Sequence, residues 1–406
     1  MAPNPEVLDS SRPDPEFEQA CCSFLTGPPP LPSNTNVQTL RRLTNEFKNK
    51  ARENLDGPLH ELVERNIEIP VRDSSSILAY VYAPSKEATD ALPIFLFFHG
   101  GGFCIGSRHD DLESNRIIAS KTGIIVVSLE YRLAPEHPFP QAIHDGFDAL
   151  HWIANNPSRV HPAASPSSGL IVGGTSAGGS IANAVVYLNR DLGSPVTVTG
   201  QLLSVAPLLP PPVVPRKYQD DYISHKQNKD VAIPSEELTQ LFLAAYKPDK
   251  SSPLAAPAIH PLGHAGIPPT YLQACGLDRL RDESLIYQRI LEHENGIATR
   301  LDLYPGLPHH FWEFFPQLTK QVEKRTNDTV EGIQWLLEAA RANPNNSGYL
   351  GDGSVLIGSK LDDGFGIVVE WGRLSSMTGL AVHHGPSETP DPLQMLKTKA
   401  KDANIK

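Results

Sequence analysis

Two segments of this chain combine residue types and spacing that could do chemistry: Gly174-Thr175-Ser176-Ala177-Gly178 and His99-Gly100-Gly101-Gly102-Phe103. A G-x-S-x-G turn between a strand and a helix exposes a serine hydroxyl, and an HGGG-type loop turns backbone N–H groups toward it. A nucleophile facing ready donors for an oxyanion is what acyl transfer requires. Gly101, Gly102 and Ala177 are the expected donors. The two glycines carry no side chain to block a carbonyl oxygen, and Ala177 opens a helix at its positive end. Phe103, next along the loop, is a candidate wall of the substrate pocket.

These groups need elements to hold them. Leu170-Ile171-Val172-Gly173 is a short apolar run ending in glycine, and residues 176–190 carry the small and apolar residues of a helix packed on a sheet. Pro93 to Phe98 reads as a buried strand running into His99, so the glycine loop leaves a strand at its carboxyl end, where open α/β sheets bind ligands. A nucleophilic serine also needs a base, and the base an orienting acid. Thr270 to Cys275 reads as a strand with Asp278 at its exit. A helix over about 284–295 and a strand over 300–304 follow, and His309 stands at the exit of that strand. Asp282 and His310 are the nearby alternatives; Asp282 is expected to cap or begin the next helix, and the His310 ring to point away from its neighbour.

In this order the chain resembles the hormone-sensitive-lipase-like branch of the α/β-hydrolase carboxylesterases. HGGGF at 99–103, YRLAPEHPFP at 131–140, GTSAGG at 174–179, DRLRDE at 278–283 and YPGLPHHF at 304–311 carry the resemblance, which covers roughly residues 60–340. It implies an α/β-hydrolase fold: a mostly parallel central sheet flanked by helices, with a helical cap. It assigns Ser176, His309 and Asp278 as nucleophile, base and acid, and implies no cofactor and no metal. Thr175 stands where many relatives have Asp, His310 replaces a glycine and Arg279 a proline, the last expected to matter little. The expected activity is hydrolysis of a small to medium acyl ester or a specialised-metabolite ester. An acyltransferase or cyclase of a biosynthetic pathway is the alternative; retention of His309 argues against a ligand receptor on the same fold.

The expected organisation is an N-terminal cap segment (1–60), a catalytic core in two parts (61–207 and 263–342), a cap insertion (208–262) and a C-terminal extension (343–406). Helices are expected over 36–54 and 235–246, the second bringing Phe242 and Tyr246 to the pocket or to the cap's own packing. In the extension, apolar runs at 355–358 and 364–371 look like a hairpin that packs on the core or on another subunit of a homo-oligomer. Residues 131–140, with three prolines, read as a rigid turn behind the glycine loop, His99 as a brace within it, Cys104 as a small buried apolar residue, and His260 and His264 as surface residues. A net charge of −11 without a basic run excludes nucleic acid as a partner, and four scattered cysteines fit neither a disulfide framework nor a zinc site. No membrane span or leader pattern is read, so the default expectation is a cytoplasmic enzyme with a small-molecule ester substrate.

Overall fold

The computed structural model describes residues 5–20, 35–53, 57, 59–85, 91–231 and 233–342. Its strands are β1 (Leu62–Pro70), β2 (Ser76–Pro84), β3 (Ile94–Phe98), β4 (Ile125–Leu129), β5 (Leu170–Thr175), β6 (Gly200–Ser204), β7 (Thr270–Cys275) and β8 (Thr299–Tyr304). The helices that matter here are α1 (Pro5–Asp9), α2 (Pro15–Ala20), α3 (Val37–Arg52), α4 (Leu112–Thr122), α5 (Gln141–Asn155), α6 (Ala177–Asp191), α7 (Glu236–Tyr246), α8 (Arg281–Arg289) and α9 (Thr319–Ala342). One sheet runs in the order β1-β2-β4-β3-β5-β6-β7-β8. Its β1/β2 and β2/β4 pairs are antiparallel and the rest parallel.

Strands β3 to β7 are buried at every position, as parallel strands covered on both faces must be. Alternation along β3 sorts the core. Ile94, Leu96 and Phe98 join the cluster of α5, α6 and α8, while Phe95 and Phe97 join that of α4 and α9. The parallel register pairs Phe98 with Gly174 and Cys275 with Tyr304, so β3, β5, β7 and β8 all end on one edge of the sheet. His99, Ser176, Asp278 and His309 follow those ends.

Two segments reach over this edge. Helix α3 starts at Asn36, whose side-chain oxygen accepts from the Thr39 N–H at 2.8 Å, the cap that its polar-to-helical transition requires. Residues 205–269 join β6 to β7 and carry α7, capped by Ser235. Helices α1 and α2 dock through the backbone: Gly306 N–H donates to Ser10 O at 2.7 Å and Asp14 N–H to Gly306 O at 3.0 Å.

Some expectations need correcting. The helix expected over 284–295 begins at Arg281 and ends in a single π turn, Ile290–Glu294. His260 and His264 are buried, not on the surface. Their proline- and glycine-rich stretch packs on the far end of α6, where His260 Nε2 lies 3.0 Å from Asp191 and His264 Nδ1 shares a hydrogen bond with the Tyr187 hydroxyl. Composition signals a loop there but not its burial. The hairpin expected over 355–371 lies outside the described residues. Among the described residues, no helix is long and apolar enough to cross a membrane.

Candidate active site

Ser176 sits between β5 and α6 with φ 55° and ψ −121°, a backbone conformation sparsely populated by residues with a Cβ. Its N–H donates to Ser204 O at 2.8 Å, which anchors the turn to β6. The turn is sharp because α6 meets the sheet at Gly178: a Cβ there would overlap the carbonyl oxygens of Phe98 and His99. The serine side chain is thereby lifted above the sheet edge, at the amino end of α6, where N–H groups and dipole favour negative charge.

His309 comes off β8 and Asp278 off β7. His309 Nε2 is 2.9 Å from Ser176 Oγ, and His309 Nδ1 is 2.6 Å from Asp278 Oδ2. An ionised carboxylate only accepts, so Nδ1 carries the proton and Nε2 is left to accept from the serine hydroxyl. Asp278 is 1% exposed, and its other oxygen accepts from the Leu280 N–H at 2.9 Å. Asn228, from the insertion, donates to the Asp278 carbonyl at 2.8 Å and braces the same turn. Asp282 faces elsewhere: it accepts from the Ile223 and Ser224 N–H groups at 2.7 and 2.6 Å. Glu283 accepts from those of Leu208 and Leu209. These two acids hold the base of the 205–269 insertion, a role that strand-exit reasoning missed.

The glycine loop lies against the serine turn, since a Cβ on Gly100 would come within 3.6 Å of Ser176 Cβ. Gly101 and Gly102 have φ of 112° and 59°, and a Cβ on Gly102 would overlap the Phe242 ring. Behind the loop, Tyr131 donates its hydroxyl to His99 O at 2.9 Å and its ring stacks on His99 at 4.2 Å. Ala134 N–H donates to Phe103 O. His99 is fully buried, donates from Nδ1 to Gly100 O at 2.7 Å, and is held by burial below its ordinary pKa. Burial also pushes the Cys104 thiol up to about 12, which leaves it a protonated, inert packing group.

Phe103, Phe242 and Tyr246 come together. Phe103 and Tyr246 stack at 3.8 Å with an interplanar angle of 2°, and Phe242 and Tyr246 are 9% and 4% exposed in a cluster with Val37, Cys104 and Ala134. They pack α3 and α7 onto the glycine loop. A hydrogen bond and an ion pair reinforce this: Arg41 of α3 donates to Cys104 O at 2.7 Å, and Arg279, next to Asp278, pairs with Glu236 of α7. The arginine in place of proline thus forms a link between the Asp278 turn and α7. No local motif announces such long-range pairs. Among the described residues, one His/carboxylate cluster has metal-ligand spacing, Asp111–His310–Glu313, and Lys48 already pairs with its Glu313 at 2.5 Å.

A cavity of about 420 Å³ lies against α1 and α2, walled by Phe17, Val231, Ile233, Leu277, Pro308 and Phe315, with Asp230 and Arg12 among its polar lining; Ser176, His309 and the glycine loop do not line it. Leu277 and Pro308 are the residues immediately before Asp278 and His309.

With this geometry in view, the chain can be compared with known proteins. The profile of the α/β-hydrolase-fold family matches residues 95–313. An AB hydrolase superfamily protein of Schizosaccharomyces pombe is 32% identical over 303 residues, covering 75% of this chain and 88% of that one. A versiconal hemiacetal acetate esterase of Dothistroma septosporum is 30% identical over 295 residues, covering 71% and 87%. Among solved structures, vibralactone cyclase superposes with a TM-score of 0.72 at 29% identity, over 82% of this chain and 97% of the other. Further similar proteins of both kinds are esterases. The chain belongs to the α/β-hydrolase-fold family and is a carboxylesterase-type hydrolase of its hormone-sensitive-lipase-like branch.

Proposed function

We propose that the chain hydrolyses carboxylic esters through an acyl-enzyme on Ser176, with His309 as general base and acid and Asp278 as its orienting carboxylate. The observation that carries this reading is the continuous line from Ser176 Oγ to His309 Nε2 at 2.9 Å and from His309 Nδ1 to Asp278 Oδ2 at 2.6 Å. Ser176 Oγ attacks the ester carbonyl carbon while its proton passes to His309 Nε2, and the N–H groups of Gly101, Gly102 and Ala177 receive the oxyanion. The tetrahedral centre collapses by breaking the bond to the alcohol oxygen, which takes the proton from His309. Water then attacks the acyl carbon, gives a proton to His309 and displaces Ser176 Oγ, which recovers that proton. Acid and alcohol leave, and one water is consumed. The mechanism uses no cofactor.

The pocket reading follows from walls and size. Phe103, Phe242 and Tyr246 close in on the glycine loop, where a Cβ on Gly102 would already overlap the Phe242 ring, and this tight wall suits a small to medium acyl group. The described parts of residues 1–60 and 208–262 act as the cap over this site. The Dothistroma relative, named for an acetate ester, supports a short acyl group and a specialised metabolite as its carrier. If a hydroxyl of the substrate replaces water in the second step, the same acyl-enzyme yields a lactone, the outcome that the likeness to a cyclase makes worth assaying.

The test is turnover of p-nitrophenyl esters from acetate to octanoate, with Ser176→Ala as control. The expected result is activity favouring the shorter chains and a fall in kcat of about 10⁴ to 10⁶ in the variant. Less than a tenfold loss in a folded Ser176→Ala protein would contradict the assignment.

A further inference from the structure

The segment after His309 is held in an unusual way. His310 has φ 55°, a left-handed conformation that residues with a Cβ avoid, and it is buried. Its Nε2 lies 3.1 Å from Glu313 Oε2 and 3.4 Å from Asp111 Oδ1, and Trp312 Nε1 donates to the same Asp111 oxygen at 3.2 Å. Arg325 of α9 covers the Trp312 ring at 4.0 Å. His309 therefore precedes a residue in a disfavoured backbone state whose ring is hydrogen-bonded to Asp111 and lies within ion-pair distance of Glu313.

One of those carboxylates is itself held from the cap. Lys48 of α3 places Nζ 2.5 Å from Glu313 Oε1 and 2.6 Å from Asp110 Oδ2. Burial pulls the Lys48 ammonium down, but Glu313 and Asp110 outweigh it and hold it above the ordinary lysine range, so it stays charged. Without that charge, Glu313 would keep only the nearby His310 ring as a partner and would face Asp111 and Asp110, the latter with Arg52 at 3.9 Å, and it would turn to solvent. The same helix reaches the other half of the site, where Arg41 Nε donates to Cys104 O and Arg41 Nη2 to Ala134 O at 2.6 Å. Helix α3 thus grips the glycine loop at one point and the histidine loop at the other.

We propose that Lys48 is a positioning residue for catalysis: seated between Glu313 and Asp110, it fixes His310 and so aims His309 at Ser176, making the N-terminal cap helix a working part of the active site. The proposal rests on His309 being the general base. A reacting group displaced by a fraction of an ångström loses rate while substrate binding, which involves other residues, is kept.

The experiment compares wild type, Lys48→Met, Lys48→Arg, Glu313→Gln and the Lys48→Met/Glu313→Gln double variant on a p-nitrophenyl ester, each assayed well below its own melting temperature. Lys48→Met is expected to lower kcat about tenfold with KM within about twofold, and Lys48→Arg to restore kcat to within about threefold. The double variant is expected to be no slower than Lys48→Met, because both changes break one linkage. A folded Lys48→Met with kcat within about twofold of wild type, an effect confined to KM, or additive losses in the double variant would overturn the proposal. Should Lys48→Met fail to fold, Glu313→Gln alone decides, by the same kcat criterion. A wild type without turnover would instead strike the assignment of His309, so the two failures are distinguishable.

Discussion

Asp278 and Asp282 are both 1% exposed and both accept short hydrogen bonds, yet among the described residues only Asp278 meets an imidazole. Asp282 serves Ile223 and Ser224, where the insertion starts to wrap the site. Substituting each by Asn separates chemistry from architecture. Asp278→Asn offers an amide that no longer favours the proton on Nδ1 and should lower kcat by about 10⁴. Asp282→Asn should lower the melting temperature while kcat stays within about tenfold. Steady-state kinetics with melting curves checks this, and the reverse ranking would show the wrong carboxylate assigned. At this scale much was legible in the sequence. Ser176 and its glycine donors are required by motif chemistry, and Asp278 and His309 by standing at strand exits. Glu283, Arg279 and Lys48 were not legible, because their meaning lies in partners 43 to 265 positions away. Phe103, Phe242 and Tyr246, expected at the pocket or in the cap's own packing, pack α3 and α7 onto the glycine loop.

Among the elements, the junction of β3, β5 and α6 sets the serine's position. Gly178 lets α6 approach until its backbone touches the Phe98 and His99 carbonyls, so a methyl group has no room. Gly178→Ala should push α6 off β3, costing about 2–4 kcal/mol of stability and lowering activity with it. Chemical denaturation reads the first effect; an unchanged midpoint would mean that the turn has slack the structure does not show. The strands beneath were legible because they are continuous apolar runs bounded by glycine and proline. Helix starts were less so: α8 begins at Arg281, three residues before the expected position, since its first turn is filled by charged residues that look like loop until their buried partners are known. The seating of α1 and α2 left no trace in sequence pattern, being made largely by backbone groups of Ser10, Asp14 and Gly306.

For the molecule as a whole, one buried histidine makes stability respond to acid. His264 is pulled down to about 4, first by burial and then by Arg190 and His260, while Glu294 opposes the shift. Its partner Tyr187 also bonds Tyr287 at 3.0 Å, and Tyr287 bonds Asn183. An unfolded histidine titrates near 6.5, so between about pH 6.5 and 4 the unfolded chain binds the extra proton and stability falls as pH falls, by on the order of 3 kcal/mol from this residue at pH 4. Unfolding free energies from pH 7 to 4.5 should therefore drop more steeply in wild type than in His264→Gln. Parallel slopes would contradict the linkage. The sheet, its two helical layers and the overhanging cap together serve one end, the exposure of a single reactive hydroxyl at the sheet edge. The most direct test of that claim is to treat the protein with a p-nitrophenyl alkylphosphonate, follow nitrophenol release and locate the adduct by peptide mass spectrometry. The account predicts about one equivalent released, the phosphonyl group on Ser176, and no adduct in Ser176→Ala. An unmodified Ser176 in the wild-type protein, or an adduct on another residue that persists in Ser176→Ala, would contradict it.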